Sequence, residues 1–302
     1  MATNLKSVNE SVLSQNILKT LCYFDIFSYP LSEEELRSFL QTPALEPIIL
    51  RAELVDLVAE QQIYRFGDWY QIRDDASWSD KRILLNQRAD QFMPMARRMA
   101  RFIGAFPFIR SVCVSGSLSK HCMAADGDID FFMITAPGRL WLARTLLVVF
   151  KKVFLLNSHK YFCINYFIDE QHLEIEEKNL FTATECVTLL PMYCETPYQN
   201  FQSANHWAWQ ILPLYPLRAS PELKQSSIFK KVAEWCLGGA LGTWLDRRCM
   251  QWTVNYWRKK FKHLDPQAFD IALKSRSYVS KHHPLQYQDR VIKAYEERVR
   301  SS

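Results

Sequence analysis

Gly116 and Ser117, with Asp128 eleven residues after the serine and Asp130 two further on, are the residues of this chain whose types and spacing point to chemistry. Each half adjoins an apolar run, 111–115 before the Gly-Ser pair and 129–135 around the second aspartate. Both runs read as strands. Side chains at i and i+2 of a strand share a face, so Asp128 and Asp130 are expected roughly 6.5 Å apart along the backbone, converging on one cation. A few hard oxygen ligands, with room left for phosphate oxygens, suit Mg²⁺. The chemistry this predicts is the handling of a nucleoside triphosphate with magnesium. Lys120, three residues after Ser117, is placed to reach a β- or γ-phosphate as a point charge, although an exposed loop lysine is commonly only solvated. Asp126, Gly127 and Asp128 also suit an ordinary turn. A turn does not account for Asp130, because an unpaired charge inside an apolar strand is costly.

The run Val114-Ser115-Gly116-Ser117, a gap, and then Asp128-Ile129-Asp130-Phe131-Phe132 resembles the signature of the DNA polymerase beta-like nucleotidyltransferase superfamily. The resemblance implies that Gly116 and Ser117 hold the triphosphate and that Asp128 and Asp130 hold the metal, with two Mg²⁺ ions possible. It also implies a third carboxylate on a later strand. The strand expected there, 160–168, carries a neutral residue, Asn165, as its only central polar side chain. Asparagine can offer a carbonyl ligand but neither charge nor a general base. Asp128, Asp130 and Asn165 are therefore the candidate catalytic positions, unless Asp169, Glu174 or Glu185 supplies the third acid. Two functions remain: transfer of a nucleotidyl group from an NTP to a hydroxyl acceptor, or a non-catalytic nucleotide-binding adaptor of the same fold.

These residues need elements to position them. Residues 1–75 read as three helices (about 11–24, 32–40 and 47–61) and a hairpin (63–66 and 69–72), a winged-helix-like module. Ser32 and Glu35 form a capping box, and Pro47 suits a first helical position. The third helix carries Arg51 against Glu53, Asp56 and Glu60, which argues against duplex DNA as its partner. After a linker at 74–77, a long helix to 103 feeds the Gly-Ser strand, and 78–180 forms the expected nucleotidyltransferase core. Residues 181–302 read as a helical extension, with helices at 182–192, 205–212, 228–263 and 287–300. In the second half of 228–263 basic and aromatic residues mix, a composition that fits either RNA or a phosphorylated acceptor, or an amphipathic helix with snorkelling basic side chains. The expected fold class is α+β, with a small mixed sheet.

Composition sets the outer limits. The chain has 302 residues and a formal charge of +5, enough to permit an anionic ligand without demanding nucleic acid. Its eight cysteines are scattered singly and read as reduced thiols, which with the polar start predicts a cytoplasmic protein. His121 and Cys122 lack a second pair at zinc spacing, and His282-His283 reads as solvated. The apolar stretch 140–156 is interrupted by Arg144, Lys151 and Lys152, so no membrane span is expected. The acceptor, whether small molecule, protein or RNA, is not specified by the motif.

Overall fold

The structure, a computed structural model, describes residues 2–43, 45–154, 160–193, 195–218, 228–282 and 287–301. The chain begins with α1 (Ala2–Asp25), β1 (Leu31–Ser32), α2 (Glu33–Phe39), α3 (Pro47–Ala59), β2 (Tyr64–Phe66) and β3 (Trp69–Gln71). Then come α4 (Ser77–Gly104), β4 (Ile109–Ser115), the one-turn α5 (Gly116–Ser119), β5 (Asp130–Thr135), α6 (Leu140–Phe154) and β6 (Cys163–Asp169). The last part holds α7 (Leu180–Thr188), β7 (Leu190–Tyr193), α8 (Glu195–Ala204), α9 (His206–Ile211), α10 (Ile228–Leu237) and α11 (Ala240–Lys260). It closes with α12 (Pro266–Ala272), β8 (Ser275–Arg276), β9 (Val279–Lys281) and α13 (Tyr287–Ser301). The fold is α+β.

Two sheets organise these elements. A three-stranded antiparallel sheet has the order β1-β3-β2, and a six-stranded mixed sheet has the order β7-β4-β5-β6-β9-β8. In the larger sheet only β5 and β6 run parallel, as the α6 crossover between them requires. Strand alternation divides its side chains between two cores. Cys113, Phe132, Ile134 and Ile168 pack with α1 to α3, α7, α8 and α9. Val112, Val114, Phe131 and Met133 pack on the opposite face with α4, α6 and α11.

Local sequence explains several boundaries. The Ser32–Glu35 capping box is present, with the Glu35 amide donating to Ser32 Oγ at 3.2 Å and the Ser32 amide to Glu35 Oε2 at 3.0 Å. Pro47 opens α3 as expected. The expected single helix over 228–263 is instead two, α10 and α11, divided at Gly238 and Gly239. Arg139 explains the break: its guanidinium donates to the carbonyls of Leu237 at 3.0 Å, Gly239 at 3.0 Å and Gly238, capping α10 from outside. The expected helix over 182–192 gives way at Leu189, and β7 follows as an edge strand on β4. Pro191 is tolerated there because an edge strand has an unpaired side.

Other expectations concern single groups. None of the seven described cysteines is in a disulfide, and Cys194 lies outside the described residues. His282 packs near the rings of Trp257 and Phe261, with centroids at 5.1 and 5.9 Å, a ring environment in place of the solvated one expected, while His283 lies outside the described residues. Residues 155–156 of the apolar run also lie outside them. Among the described residues no helix is long and apolar enough to cross a membrane.

Candidate functional site

The register of three central strands places the motif. Ser115 at the end of β4 pairs with Asp130 at the start of β5, and Asp130 pairs with Cys163 at the start of β6. Beyond Ser115 the chain turns through Gly116, whose φ of +66° lies in the left-handed region that favours glycine. A Cβ added there would lie 2.8 Å from Asp130 Oδ2. The backbone of the Gly-Ser turn thus abuts the carboxylate of the second aspartate.

A bulge brings in Asn165. Phe131 pairs with Ile164 but Phe132 with Tyr166, so Asn165 is the extra residue of β6. An extra residue resets strand alternation and re-aims a side chain. Here Asn165 Nδ2 donates to Asp130 Oδ1 at 2.8 Å, and both Asn165 and Tyr166 line the same cavity. The Asn165 carbonyl accepts from the His282 amide at 2.9 Å, which ties the bulge to the end of β9.

That cavity has a volume of about 710 Å³ and lies against the β4–β5–β6 face. Gly116, Ser117, Lys120, Asp130 and Asn165 all line it. Asp128 is the exception. β5 begins only at Asp130, and Asp128 falls in the preceding loop, half-buried and outside the cavity lining. The reason lies in the hydrogen bonds of Ile129, whose amide donates to the Lys160 carbonyl at 3.0 Å and whose carbonyl accepts from the Cys163 amide at 3.1 Å. Ile129 is thereby drawn towards the start of β6, and Asp128 precedes that anchor.

Among the candidates for a third acid, Glu185 lines the cavity. An Asn179–Thr182 capping box starts α7, so Thr182, Glu185, Cys186 and Leu189 follow at helical spacing along the cavity wall. Asp169 lies at the far end of β6, opposite Thr135, where it accepts from the Gln171 amide at 3.1 Å and meets His172 Nδ1 at 2.7 Å. Glu174 is exposed and pairs with Lys178 at 2.6 Å. Neither reaches the site.

Electrostatics single out Asp130. Burial pushes its pKa up to about 6; the Cys163 thiol and Asn165 amide pull it down, and Asp128 and Glu185 push it further up. The Cys163 thiol is itself pushed up to about 12, by burial and then by Asp130. Lys120 does not point freely into the cavity: its ammonium donates to Glu185 Oε1 at 2.7 Å and to the Gly116 carbonyl at 3.1 Å. Among the described residues, no three His, Cys, Asp or Glu side chains group closely enough to hold a metal. Of the two motif aspartates, only Asp130 reaches the cavity.

Sequence reasoning missed most of the wall. Tyr23, Phe27, Tyr29, Phe181, Phe201 and Tyr287 line the cavity, together with Glu177 and Lys281. They come from α1 and the turn after it, the loop before α7, α7, α8, β9 and α13, and no local pattern marks them. Tyr29 is the direct link to the motif, its hydroxyl donating to the Lys120 carbonyl. Comparison with family models, with curated proteins and with solved structures finds no match to this chain.

Proposed function

We propose that the Gly116–Asp130 end of the cavity takes the phosphates of a nucleoside triphosphate together with Mg²⁺, and that the protein is a nucleotidyltransferase acting on a hydroxyl acceptor. The observation carrying this reading is the close approach of the left-handed Gly116 backbone to the Asp130 carboxylate, in the wall of a cavity that Ser117, Lys120 and Asn165 also line. The finer fold reading, a nucleotidyltransferase core behind a winged-helix-like module, belongs to the same proposal. It is supported by the Gly-Ser turn between β4 and β5 and by the grouping of α1 to α3 with the β1-β3-β2 sheet. The seven described cysteines, none in a disulfide, support a cytoplasmic setting.

The residues present define the roles. Asp130, with Asp128 beside it in the loop, offers hard carboxylate oxygens, and Mg²⁺ is usually held by one or two carboxylates plus substrate phosphates. When bound, the ion neutralises charge on the phosphoryl oxygens. The cavity needs such help. Its acids Asp130, Glu177 and Glu185 outnumber its lysines, and Lys120 is held by Glu185. In the transfer, the acceptor oxygen bonds to the α-phosphorus as the α–β phosphoanhydride bond breaks and pyrophosphate leaves. The hydroxyl proton goes to Glu185, since Asn165 has no basic group.

Calorimetric titration of the full chain with each NTP and Mg²⁺ tests the binding. Binding that needs Mg²⁺ and is lost in Asp130→Ala is expected. No binding of any NTP, or equal binding by the doubly substituted Asp128→Ala, Asp130→Ala protein, sinks the reading. The non-catalytic adaptor has its own observation, the Asn165 amide occupying Asp130 where a third acid is implied. Mass spectrometry after incubation with labelled NTP and cell extract separates the two: a nucleotidylated product lost in Glu185→Gln supports transfer, and binding with no product supports the adaptor.

A further inference from the structure

The sheet face opposite the cavity carries an unusual outer surface. There α4, α6 and α11 bury one side in the second core, and α10 joins them through Lys230, which donates to the carbonyls of Gly104 at 2.8 Å and Ile109 at 2.6 Å. Their outer sides are apolar. Trp235 is 84% exposed, Phe154 68% and Trp252 64%, and aliphatic side chains such as Ile228, Val232 and Val153 are exposed among them. Along α11 the exposed stripe runs Leu241, Trp244, Arg248, Trp252, Tyr256 and Lys259, at helical spacing.

The surface is continuous from helix to helix. Phe102 of α4 meets Phe150 of α6 at 4.8 Å, and Phe150 stacks on Phe154 at 4.9 Å. The Lys152 ammonium of α6 lies 6.0 Å from the Tyr256 ring of α11, and the Arg248 guanidinium 5.6 Å from the Trp244 ring. Its charge is one-sided. Residues 91–104 with α6, α10 and α11 hold thirteen Lys and Arg, of which Arg144, Lys151 and Lys230 are buried, against two acids. Neither acid faces outward freely: Asp246 is buried and accepts from the Leu142 amide at 2.8 Å, and Glu234 pairs with Arg110 at 2.8 Å.

Exposed Trp and Tyr mixed with aliphatic side chains and ringed by Lys and Arg is the composition of a surface that rests in the headgroup region of a bilayer. Each basic side chain near an anionic leaflet adds attraction, and with Asp246 buried and Glu234 paired these segments oppose it little. Single-stranded RNA would use the rings and the charge but leave Ile228, Val232 and Val153 without a role. We infer that this face binds the surface of an anionic membrane peripherally, with α10 and α11 lying in the interface. Such binding requires no spanning helix, and it is independent of what the cavity on the other face binds.

Sedimentation of the full chain with vesicles tests it. The protein is expected to pellet with phosphatidylcholine–phosphatidylglycerol vesicles and to remain in solution with phosphatidylcholine alone, the bound fraction falling as salt rises. Two variants at exposed positions, Trp235→Ser with Trp252→Ser and Lys259→Glu with Lys260→Glu, should each weaken binding about tenfold or more with unchanged melting curves. No pelleting with anionic vesicles at low salt overturns the inference. So does binding to a single-stranded RNA oligomer without vesicle binding, or a dimer that Trp235→Ser dissociates and that does not bind vesicles.

Discussion

Asp130 costs the fold free energy that a ligand can return. Burial raises its pKa from 3.8 to about 6, so the native state prefers the protonated form. The sign follows: this group's stabilising contribution is complete below about pH 4, is lost as pH rises through about 6, and becomes a penalty at neutral pH. Asp130→Asn should therefore be more stable than the parent at pH 7, by on the order of 2 kcal/mol, with little difference at pH 4. Urea denaturation at both pH values reads this directly; an equal difference at the two would refute the account. A divalent cation with nucleotide should close the gap by stabilising the carboxylate. Gly116→Ala tests the neighbouring backbone. Its φ of +66° and the 2.8 Å approach to Asp130 Oδ2 predict a loss of about 1–2 kcal/mol from strain and a displaced carboxylate. A fall in thermal stability together with weaker NTP binding is expected, and an unchanged protein would show that the turn relaxes freely.

At the scale of elements, Arg82 of α4 joins the first helices to the site. Its side chain is fully buried, donating to the Pro30 carbonyl at 2.6 Å and to Asn86 Oδ1 at 2.9 Å, and it pairs with Glu35. The guanidinium also stacks on Tyr29, 3.6 Å from the ring centroid, and Tyr29 in turn bonds the Lys120 carbonyl. Arg82→Met keeps the stem but removes the fork, and should cost about 3 kcal/mol by leaving Glu35 without its charged partner and the Pro30 carbonyl without its donor. Arg82→Lys should recover only part of this, because an ammonium cannot serve a planar fork. Chemical denaturation of both variants measures the order, and equal stability of the two would sink the argument. Much of this layer was legible from local pattern: the Ser32–Glu35 box, Pro47, the hairpin around Gly67, and the apolar strands on either side of the Gly-Ser turn. What was not legible has long-range causes. Arg139 ends α10 from about a hundred residues away in sequence, and β8 and β9 are too short to show a period. Asn165 was visible as the one polar residue of its strand, but the bulge that turns it towards Asp130 depends on the register with β5.

For the whole molecule, one core crosses the sequence segments that composition alone divides. Leu21, Leu36 and Leu54 from the first helices pack in the same cluster as Phe132 and Ile134 of the sheet and Phe201 and Trp209 beyond it. Asp25, at the end of α1, fastens both termini of this arrangement. Arg73 holds it through Nε to Oδ1 at 2.9 Å and Nη2 to Oδ2 at 3.1 Å, and Arg298 of α13 adds Nε to Oδ2 at 2.6 Å. The Tyr23 and Tyr295 rings meet beside this cluster at 5.8 Å. The cavity lies among these same elements, between α1, the sheet and α13, so its shape depends on their staying together. Segments that share a core and a buried carboxylate should not unfold separately, so thermal unfolding followed by far-UV and near-UV circular dichroism should give one coincident transition. Arg298→Ala leaves Asp25 with a single, more exposed partner and should lower that transition as a whole, by about 1–3 kcal/mol, while loosening the α13 wall and weakening NTP binding. Two separated transitions, or an Arg298→Ala protein that melts as the parent does, would show that the cavity wall is assembled independently of the fold around it.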